Sequence, residues 1–140
     1  MKTKSSDLTF GFANEDKNET AIDTYLGGGI VKVGGNAIFD FKNKNNTIYA
    51  ELKSRRIAHN QYPTALIGKN KCEWADKNSE ENRKFWFFFA YSDGLYAIEY
   101  NKELFDTFRV DTEYQRSYRI GCYNAPQRVV HIPIDKLIKV

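Results

Sequence analysis

The sequence predicts an α/β (α+β) fold in which helices flank a central mixed β-sheet. Residues 37–55 and 84–100 each contain two strand-like stretches joined by a short polar turn. Helical signals stand before and between these segments. The resulting order of helix, hairpin, helix, hairpin, helix is typical of a mixed sheet with helices on its faces. The length of 140 residues fits one domain, residues 1–140.

The first predicted helix covers about residues 15–26. Ile22, Tyr25 and Leu26 form the i, i+3, i+4 apolar stripe of a helix that packs on one side. Three glycines starting at Gly27 end this helix, because glycine readily takes the left-handed conformation found after helix C-termini.

A short strand at 30–33 leads into the first hairpin. Its strands are predicted at 37–41 and 47–55, and apolar residues alternate with polar ones throughout the second. Asn45 and Asn46 favour a tight turn between the two strands, because asparagine tolerates positive φ.

The second half of the chain begins with a predicted helix over 63–76, in which Pro63 suits the first position. Residues 84–100 form the second hairpin, with Asp93-Gly94 at its turn. The apolar run 86–90 predicts a strand that is buried on both faces. The remaining predictions are a short helix at 102–108, an irregular or extended stretch at 110–123, a strand at 128–132 and a closing helical turn at 134–138.

Composition limits the classes of function. The net charge of +3 permits a nucleic-acid partner. Cys72 and Cys122 do not form a metal-ligand pair, and we expect two buried free thiols. No apolar stretch is long enough for a signal peptide or a membrane span, so we expect a soluble, cytoplasmic protein. Phosphate-loop and nucleophile-elbow motifs are absent from the sequence, which argues against a nucleotide triphosphatase or a serine hydrolase.

Charged residues share one face of the first hairpin. A turn at Asn45 and Asn46 places Asp40 opposite Glu51, and Lys53 lies two residues further on the same face; a three-residue loop would break this arrangement. Two close carboxylates repel each other unless a cation lies between them. Mg²⁺ or Mn²⁺ held there would bind a phosphate oxygen and lower the pKa of a water. With Lys53 orienting that water, the pattern predicts hydrolysis of a phosphodiester.

The segment FDFKNKNNTIYAELKSRR, residues 39–56, resembles the core of the PD-(D/E)XK nucleases. The family has an aspartate at the edge of one strand and an acid-x-Lys on the next, here Asp40 and Glu51-Leu52-Lys53. The resemblance implies a restriction-endonuclease-like αβββαβ core and a Mg²⁺-dependent endonuclease that acts on DNA. Many members carry a further acid on the first helix, for which Glu19 is the candidate and Glu15 the rival.

Archaeal-type Holliday junction resolvases are similar in being short, basic single domains. That similarity implies a structure-specific, junction-resolving enzyme that works as a homodimer. Contacts to backbone phosphates are predicted for a set of basic residues after the acid-x-Lys strand, namely Arg55, Arg56, His59, Lys69 and Lys71.

Three alternatives stay open from the sequence alone. The charged residues of the hairpin can be ordinary surface ion pairs, which are common and weak. The chain can be a non-catalytic nucleic-acid-binding module of the same fold. It can also be an interaction protein that pairs through a sheet edge or through the Tyr/Arg-rich segment 114–119.

Overall fold

A computed structural model of the chain describes residues 17–35, 37–80, 82–115 and 125–140, with side chains for all of these except 113–115 and 125–126. The helices in this part are α1 (described over 17–25), α2 (Lys69–Lys77), α3 (Lys102–Phe105) and a 3₁₀ turn at Ile134–Lys136. The strands are β1 (Ile30–Lys32), β2 (Phe41–Asn43), β3 (Ile48–Ser54), β4 (Thr64–Gly68), β5 (Lys84–Tyr91), β6 (Gly94–Glu99), β7 (Arg109–Gln115), β8 (Ala125–Pro133) and β9 (Ile138–Lys139).

Six of these strands form a large mixed sheet in the order β1-β2-β3-β5-β6-β9. Strands β3 and β5 run parallel, whereas the other neighbours in this sheet are antiparallel. A parallel pair needs a long crossover, which β4 and α2 provide between β3 and β5. The predicted mixed sheet with helices is therefore confirmed.

The two faces of the large sheet bury different layers. Ile22 of α1 packs on one face against Phe41, Ala50, Phe88 and Ala97. The opposite face carries the larger core, in which aromatic residues of β5 and Phe39 meet α2, α3 and the second sheet. Strand β5 thus contributes to both cores, as its uninterrupted apolar run predicts.

The second sheet has three antiparallel strands in the order β4-β8-β7. Its inner residues, Ala65, Ile67, Val130 and Ile132, are at most 4% exposed and belong to the larger core. The sequence did not predict a second sheet. The expected strand at 128–132 is confirmed and is longer. Of the stretch 110–123, which was expected to be irregular or extended, residues 110–115 belong to β7, and residues 116–123 lie outside the described residues.

The predicted register of the first hairpin is confirmed. Phe41 pairs with Ala50 and Lys42 pairs with Tyr49, so side chains of equal parity share a face. Asn46 has a φ of +58°, and the side chain of Asn43 accepts hydrogen bonds from the two backbone amides at the start of β3. Polar turn residues therefore fix the register from which the charged face follows.

Two expected elements are wrong. Residues 37–41 were expected to be a strand, but β2 begins only at Phe41. The Asp40 side chain accepts the hydrogen bond from the Leu52 amide, so a carboxylate oxygen takes the place of a backbone carbonyl as the acceptor there. The helix expected over 63–76 begins at Lys69, because Thr64 to Gly68 pair with β8 as a strand. Long-range pairing overrides the local helix signal in this segment.

Other expectations are met within the described ranges. The second hairpin turns at Ser92-Asp93, with Gly94 pairing with Tyr91 as the first residue of β6, and Phe87, Phe88 and Phe89 are at most 1% exposed. Cys72 is a buried free thiol, whereas Cys122 lies outside the described residues. No helix in the described part of the chain is long and apolar enough to cross a membrane.

Candidate functional site

Strand β3 carries the charged face at the middle of the large sheet, between β2 and β5. Tyr49 packs into the larger core, and alternation places Glu51 and Lys53 on the same side. Glu51 lies beside Phe87 and Lys53 lies beside Phe89 on the adjacent strand β5, so each charged residue has an aromatic neighbour. Apolar neighbours exclude water and strengthen every electrostatic interaction at this place.

Asp40 reaches the site from a bend in front of β2. Its Oδ2 accepts a hydrogen bond of 3.1 Å from the Leu52 amide, and its backbone carbonyl accepts one of 2.7 Å from Val33. These two bonds fix the residue between β1 and β3. The Asp40 carboxyl lies within hydrogen-bond reach of the Glu51 carboxyl, as the hairpin register predicts.

Glu51 is a buried acid, only 6% exposed. Its Oε2 lies 3.3 Å from the ammonium of Lys71, whereas its Oε1 has no hydrogen-bond partner in the described part of the chain. Buried carboxylate oxygens are normally satisfied by donors or cations. The orphaned oxygen of Glu51 is therefore a position at which a ligand is expected.

Lys71 extends from α2 across the layer to this site. Its ammonium donates to the Ile38 carbonyl and forms the ion pair with Glu51. The sequence analysis placed Lys71 among the residues that contact nucleic-acid phosphates. The structure shows that its side chain is 20% exposed and points toward the carboxylates.

The electrostatics of Glu51 follow from these neighbours. Burial and the adjacent Asp40 carboxylate raise the pKa of Glu51 to about 7, against the opposing effect of the Lys71 ammonium. Two carboxylates within hydrogen-bond reach of each other do not both ionise easily without a cation between them. Burial also lowers the pKa of Lys53 below its ordinary value, which the Glu51 carboxylate partly counteracts.

The donor set fits a hard divalent ion. Mg²⁺ prefers oxygen ligands, keeps several waters and commonly uses only one or two protein carboxylates together with substrate phosphates. Asp40 and Glu51 supply two such carboxylates, one with an unpartnered oxygen. Among the residues the structure describes, no group of three or more His, Cys, Asp or Glu side chains is suited to a metal ion.

The acid predicted on the first helix is not brought to this pair. Glu19 lies on α1 and forms an ion pair of 3.8 Å with Lys32 of β1, and it belongs to no acidic group that would hold a metal. Its rival, Glu15, lies outside the described residues. Within the described ranges, the structure thus joins Asp40, Glu51 and Lys53 without a third acid.

The other basic residues spread beyond the carboxylates. Arg55 and Arg56 are exposed directly after β3, and Lys69 is half-buried at the start of α2. His59 is held by Asp93, whose carboxylate lies 2.5 Å from its Nδ1. Their predicted contacts to phosphates stay predictions.

Sequence reasoning missed how His59 and Lys71 are held. The His59 ring stacks on Tyr96 with centroids 4.5 Å apart. The Asp-Gly turn predicts where Asp93 lies in the second hairpin. Its closeness to His59 becomes apparent only when the pairing of the strands is known. No local signal indicates that Lys71 reaches Glu51, because the two residues meet through tertiary packing alone.

No protein-family model, curated protein or solved structure matches the chain. The functional argument therefore depends on the chemistry of these side chains.

Proposed function

We propose that this chain is a metal-dependent nuclease that hydrolyses phosphodiester bonds at Asp40, Glu51 and Lys53. The observation that carries the proposal is the buried Glu51 carboxylate, placed beside Asp40 with one oxygen unpartnered in the described structure. Burying two carboxylates side by side destabilises a fold unless a proton or a cation compensates them. A cation bound between the two carboxylates would supply this compensation.

The order of elements supports a restriction-endonuclease-like αβββαβ core. Helix α1 precedes three antiparallel strands, β1 to β3, and α2 precedes β5, which pairs with β3 in parallel. The family pattern has an aspartate at the edge of one strand and an acid-x-Lys on the next, and Asp40 before β2 with Glu51 on β3 agrees with that pattern. Strand β4, between β3 and α2, is an addition to the αβββαβ order.

Asp40 and Glu51 are the residues that would hold Mg²⁺ or Mn²⁺. When bound, the ion supplies Lewis acidity toward a phosphate oxygen and lowers the pKa of a coordinated water. The Leu52 amide fixes one oxygen of Asp40, so the other oxygen of this carboxylate is pre-oriented. Pre-orientation lowers the reorganisation needed when a ligand arrives.

Lys53 is the residue that acts on the substrate. It stands two positions after Glu51 on the same face, and no hydrogen bond or ion pair within the described ranges fixes its ammonium. It is therefore able to donate to a water or a phosphate oxygen and to offset the negative charge that develops on the phosphoryl group.

The substrate class follows from the charge around the site. Arg55 and Arg56 are exposed beyond the end of β3, and His59 and Lys69 lie on neighbouring segments. Cationic side chains beside a cutting site bind backbone phosphates without reading sequence. We propose DNA as the polymer, and a homodimer that cuts branched DNA as the form implied by the family resemblance.

The experiment that tests the function combines metal binding with cleavage. Mn²⁺ is titrated calorimetrically into the protein, into Asp40→Asn and into Asp135→Asn, which changes an exposed acid of the 3₁₀ turn. Mg²⁺-dependent cleavage is then followed on four-way junctions, linear duplexes and RNA, with light scattering to determine the oligomeric state. We expect binding and cleavage in the parent and in Asp135→Asn, and loss of both in Asp40→Asn.

The opposite result is equally clear. A protein that binds no Mn²⁺, with or without added DNA, and cleaves none of these polymers is not a nuclease of this type. Cleavage that survives in Asp40→Asn would place the active site elsewhere.

The contact of Lys71 with Glu51 favours a second candidate, a nucleic-acid-binding module of the same fold without catalysis. In that case the ammonium already compensates the carboxylate, and no metal is needed. Asp40→Asn would then leave DNA binding unchanged or strengthen it, because a negative charge near the phosphates is removed. A fluorescence-anisotropy titration in EDTA separates this outcome from the first proposal.

A further inference from the structure

An open groove of about 430 Å³ is lined by the bend before β2, by the first hairpin and by α2. Its walls include Phe39, Tyr49 and Trp74, and its rim includes Lys42 and Asn46. The volume lies in the range of roughly 300–1,000 Å³ that is usual for ligand pockets. The groove therefore has room for a small planar group.

The groove lies directly beside the proposed catalytic residues. Lys42 pairs with Tyr49 across the hairpin, two residues along each strand from Asp40 and Glu51. Two residues of a strand span about 6–7 Å, and side chains two apart share a face. A group attached to a nucleotide whose phosphate meets Asp40 and Glu51 is thus within reach of the groove.

The aromatic walls are rigid. Tyr49 stacks on Phe85 with centroids 5.3 Å apart and an interplanar angle of 12°, and Trp74 meets Tyr49 edge-on at 5.2 Å. Phe39 lies 5.7 Å from Trp74 in a tilted arrangement. Phe39 is buried, so the stacking surface comes from the partly exposed rings of Tyr49 and Trp74. Aromatic side chains held in this way lose little conformational entropy on binding.

The rim is polar and cationic. The Lys42 ammonium lies 2.5 Å from Asn46 Oδ1, which leaves the Asn46 amide group oriented as a donor. Asparagine amides and lysine ammonium groups are side chains that bind base edges. A purely aliphatic or acyl ligand would need neither of them.

We propose that this groove binds one unpaired nucleobase of the strand that is cut, so that the substrate class is nucleic acid with an unpaired nucleotide next to the scissile phosphate. The inference rests on the proposed nuclease function. Aromatic walls stack on the base, and Lys42 and Asn46 bind its polar edge. A fully paired duplex binds more weakly, because its bases are not free to enter the groove.

An abasic scan tests this inference. A tetrahydrofuran residue replaces each nucleotide in turn along a fluorescein-labelled single-stranded DNA oligonucleotide. Affinity is measured by anisotropy in EDTA, and cleavage is measured in Mg²⁺. We expect one position at which loss of the base weakens binding about 5- to 160-fold, the range given by base–aromatic stacking.

Two variants connect that position to the groove. Ala37→Phe fills the groove from an exposed position, and Asn46→Gly removes a rim side chain where a φ of +58° suits glycine. Both should weaken binding of the intact oligonucleotide and leave binding of the sensitive abasic oligonucleotide unchanged. The matched control is Asn60→Gly, at an exposed residue outside the groove, which should change neither.

The outcomes separate this inference from the proposed function. A protein that cleaves DNA but tolerates every abasic position within a factor of two keeps the nuclease proposal and overturns the groove. Variants that weaken the intact and the abasic oligonucleotide equally also overturn it. A protein that neither binds nor cleaves DNA overturns both.

Discussion

Two polar clusters of this molecule differ in how their charges are matched. In the cluster on β3, the Asp40 and Glu51 carboxylates lie together, Glu51 forms an ion pair with the ammonium of Lys71, and Lys53 lies on the same face. One buried oxygen of Glu51 has no partner in the described part of the chain. The polar atoms of this cluster are therefore not all matched.

The cluster on the small sheet is balanced. His131 is 7% exposed, its Nε2 lies 3.1 Å from Asp111 Oδ2, and its Nδ1 lies 3.2 Å from Thr64 Oγ1. Arg109 contacts the same Asp111 carboxylate at 3.0 Å. Each charged group of this cluster has an opposite or neutral partner.

A satisfied cluster gains stability from its own hydrogen bonds. A buried carboxylate oxygen without a partner costs stability, and perturbed acids of this kind are frequent at functional sites. The difference agrees with the proposal that the cluster on β3 binds a ligand, whereas the cluster on the small sheet stabilises the fold. We therefore expect substitutions in the two clusters to change different properties.

The largest effect is expected for Lys53→Ala. Cleavage should fall about 10²- to 10³-fold, because the group that donates to the water or to the developing charge is removed. Stability should change by no more than about 0.5 kcal/mol. Single-turnover cleavage and urea denaturation measure the two quantities, with exposed Lys84→Ala as the control. Unchanged cleavage in Lys53→Ala would remove this residue from the mechanism.

His131→Ala should have the opposite signature. Loss of the buried contacts to Asp111 and Thr64 and the cavity left behind should lower the free energy of unfolding by about 2–3 kcal/mol. Cleavage by the remaining folded protein should be unchanged. Urea denaturation measures the effect, with exposed Arg128→Ala on the same strand as the control. A loss of cleavage without a loss of stability would make the small sheet part of the site.

Lys71→Met tests whether the ammonium occupies the place of a cation. Removing the Lys71 ammonium, which competes with the metal for Glu51, should tighten Mn²⁺ binding by about tenfold. Hydrogen bonds to charged groups are worth on the order of 1.5–3 kcal/mol, and part of this free energy is lost when the side chains repack. Calorimetric titration measures the dissociation constant. Lys69→Met, on the same helix, is the control. Weaker binding in Lys71→Met would show that Lys71 orients Glu51 for the metal.

The smallest effect is expected for Tyr100→Phe. The Tyr100 hydroxyl donates to Asp76 Oδ1 at 2.6 Å, and burial raises the pKa of this hydroxyl above its ordinary value. Losing one such bond should lower stability by about 1 kcal/mol and Tm by roughly 2–5 °C. Thermal unfolding measures the shift, and Tyr62→Phe at an exposed ring serves as the control. An equal shift in both variants would mean that this bond contributes nothing specific.

The features that were predictable from the sequence depend on local patterns. The alternation of β3 and the asparagine-rich turn fixed which residues share a face, and this brought Asp40 to Glu51. The Asp-Gly turn and the apolar run predicted the β5–β6 hairpin in the same way. In each of these cases, residues near one another in sequence determine the geometry.

The features that escaped prediction depend on distant pairing. Thr64 to Gly68 pair with β8, so a segment with an ambiguous local pattern becomes a strand. Lys71 reaches Glu51 only after α2 packs on the large sheet. The bend at Asp40 exists because its side chain bonds to the Leu52 amide. Local propensity contains no information on any of these contacts.

The parallel pairing of β3 with β5 also determines when the site acquires its properties as the chain folds. The β2–β3 hairpin closes a short loop, which takes microseconds, so Asp40 and Glu51 meet early in water. The aromatic neighbours on β5 and Lys71 on α2 reach the two acids only after β4, α2 and β5 have been synthesised and have docked. Closing so long a loop is slow. The nascent hairpin therefore carries two hydrated, ordinary acids. The cation affinity that we propose for them would arise only when the surrounding chain has removed the water.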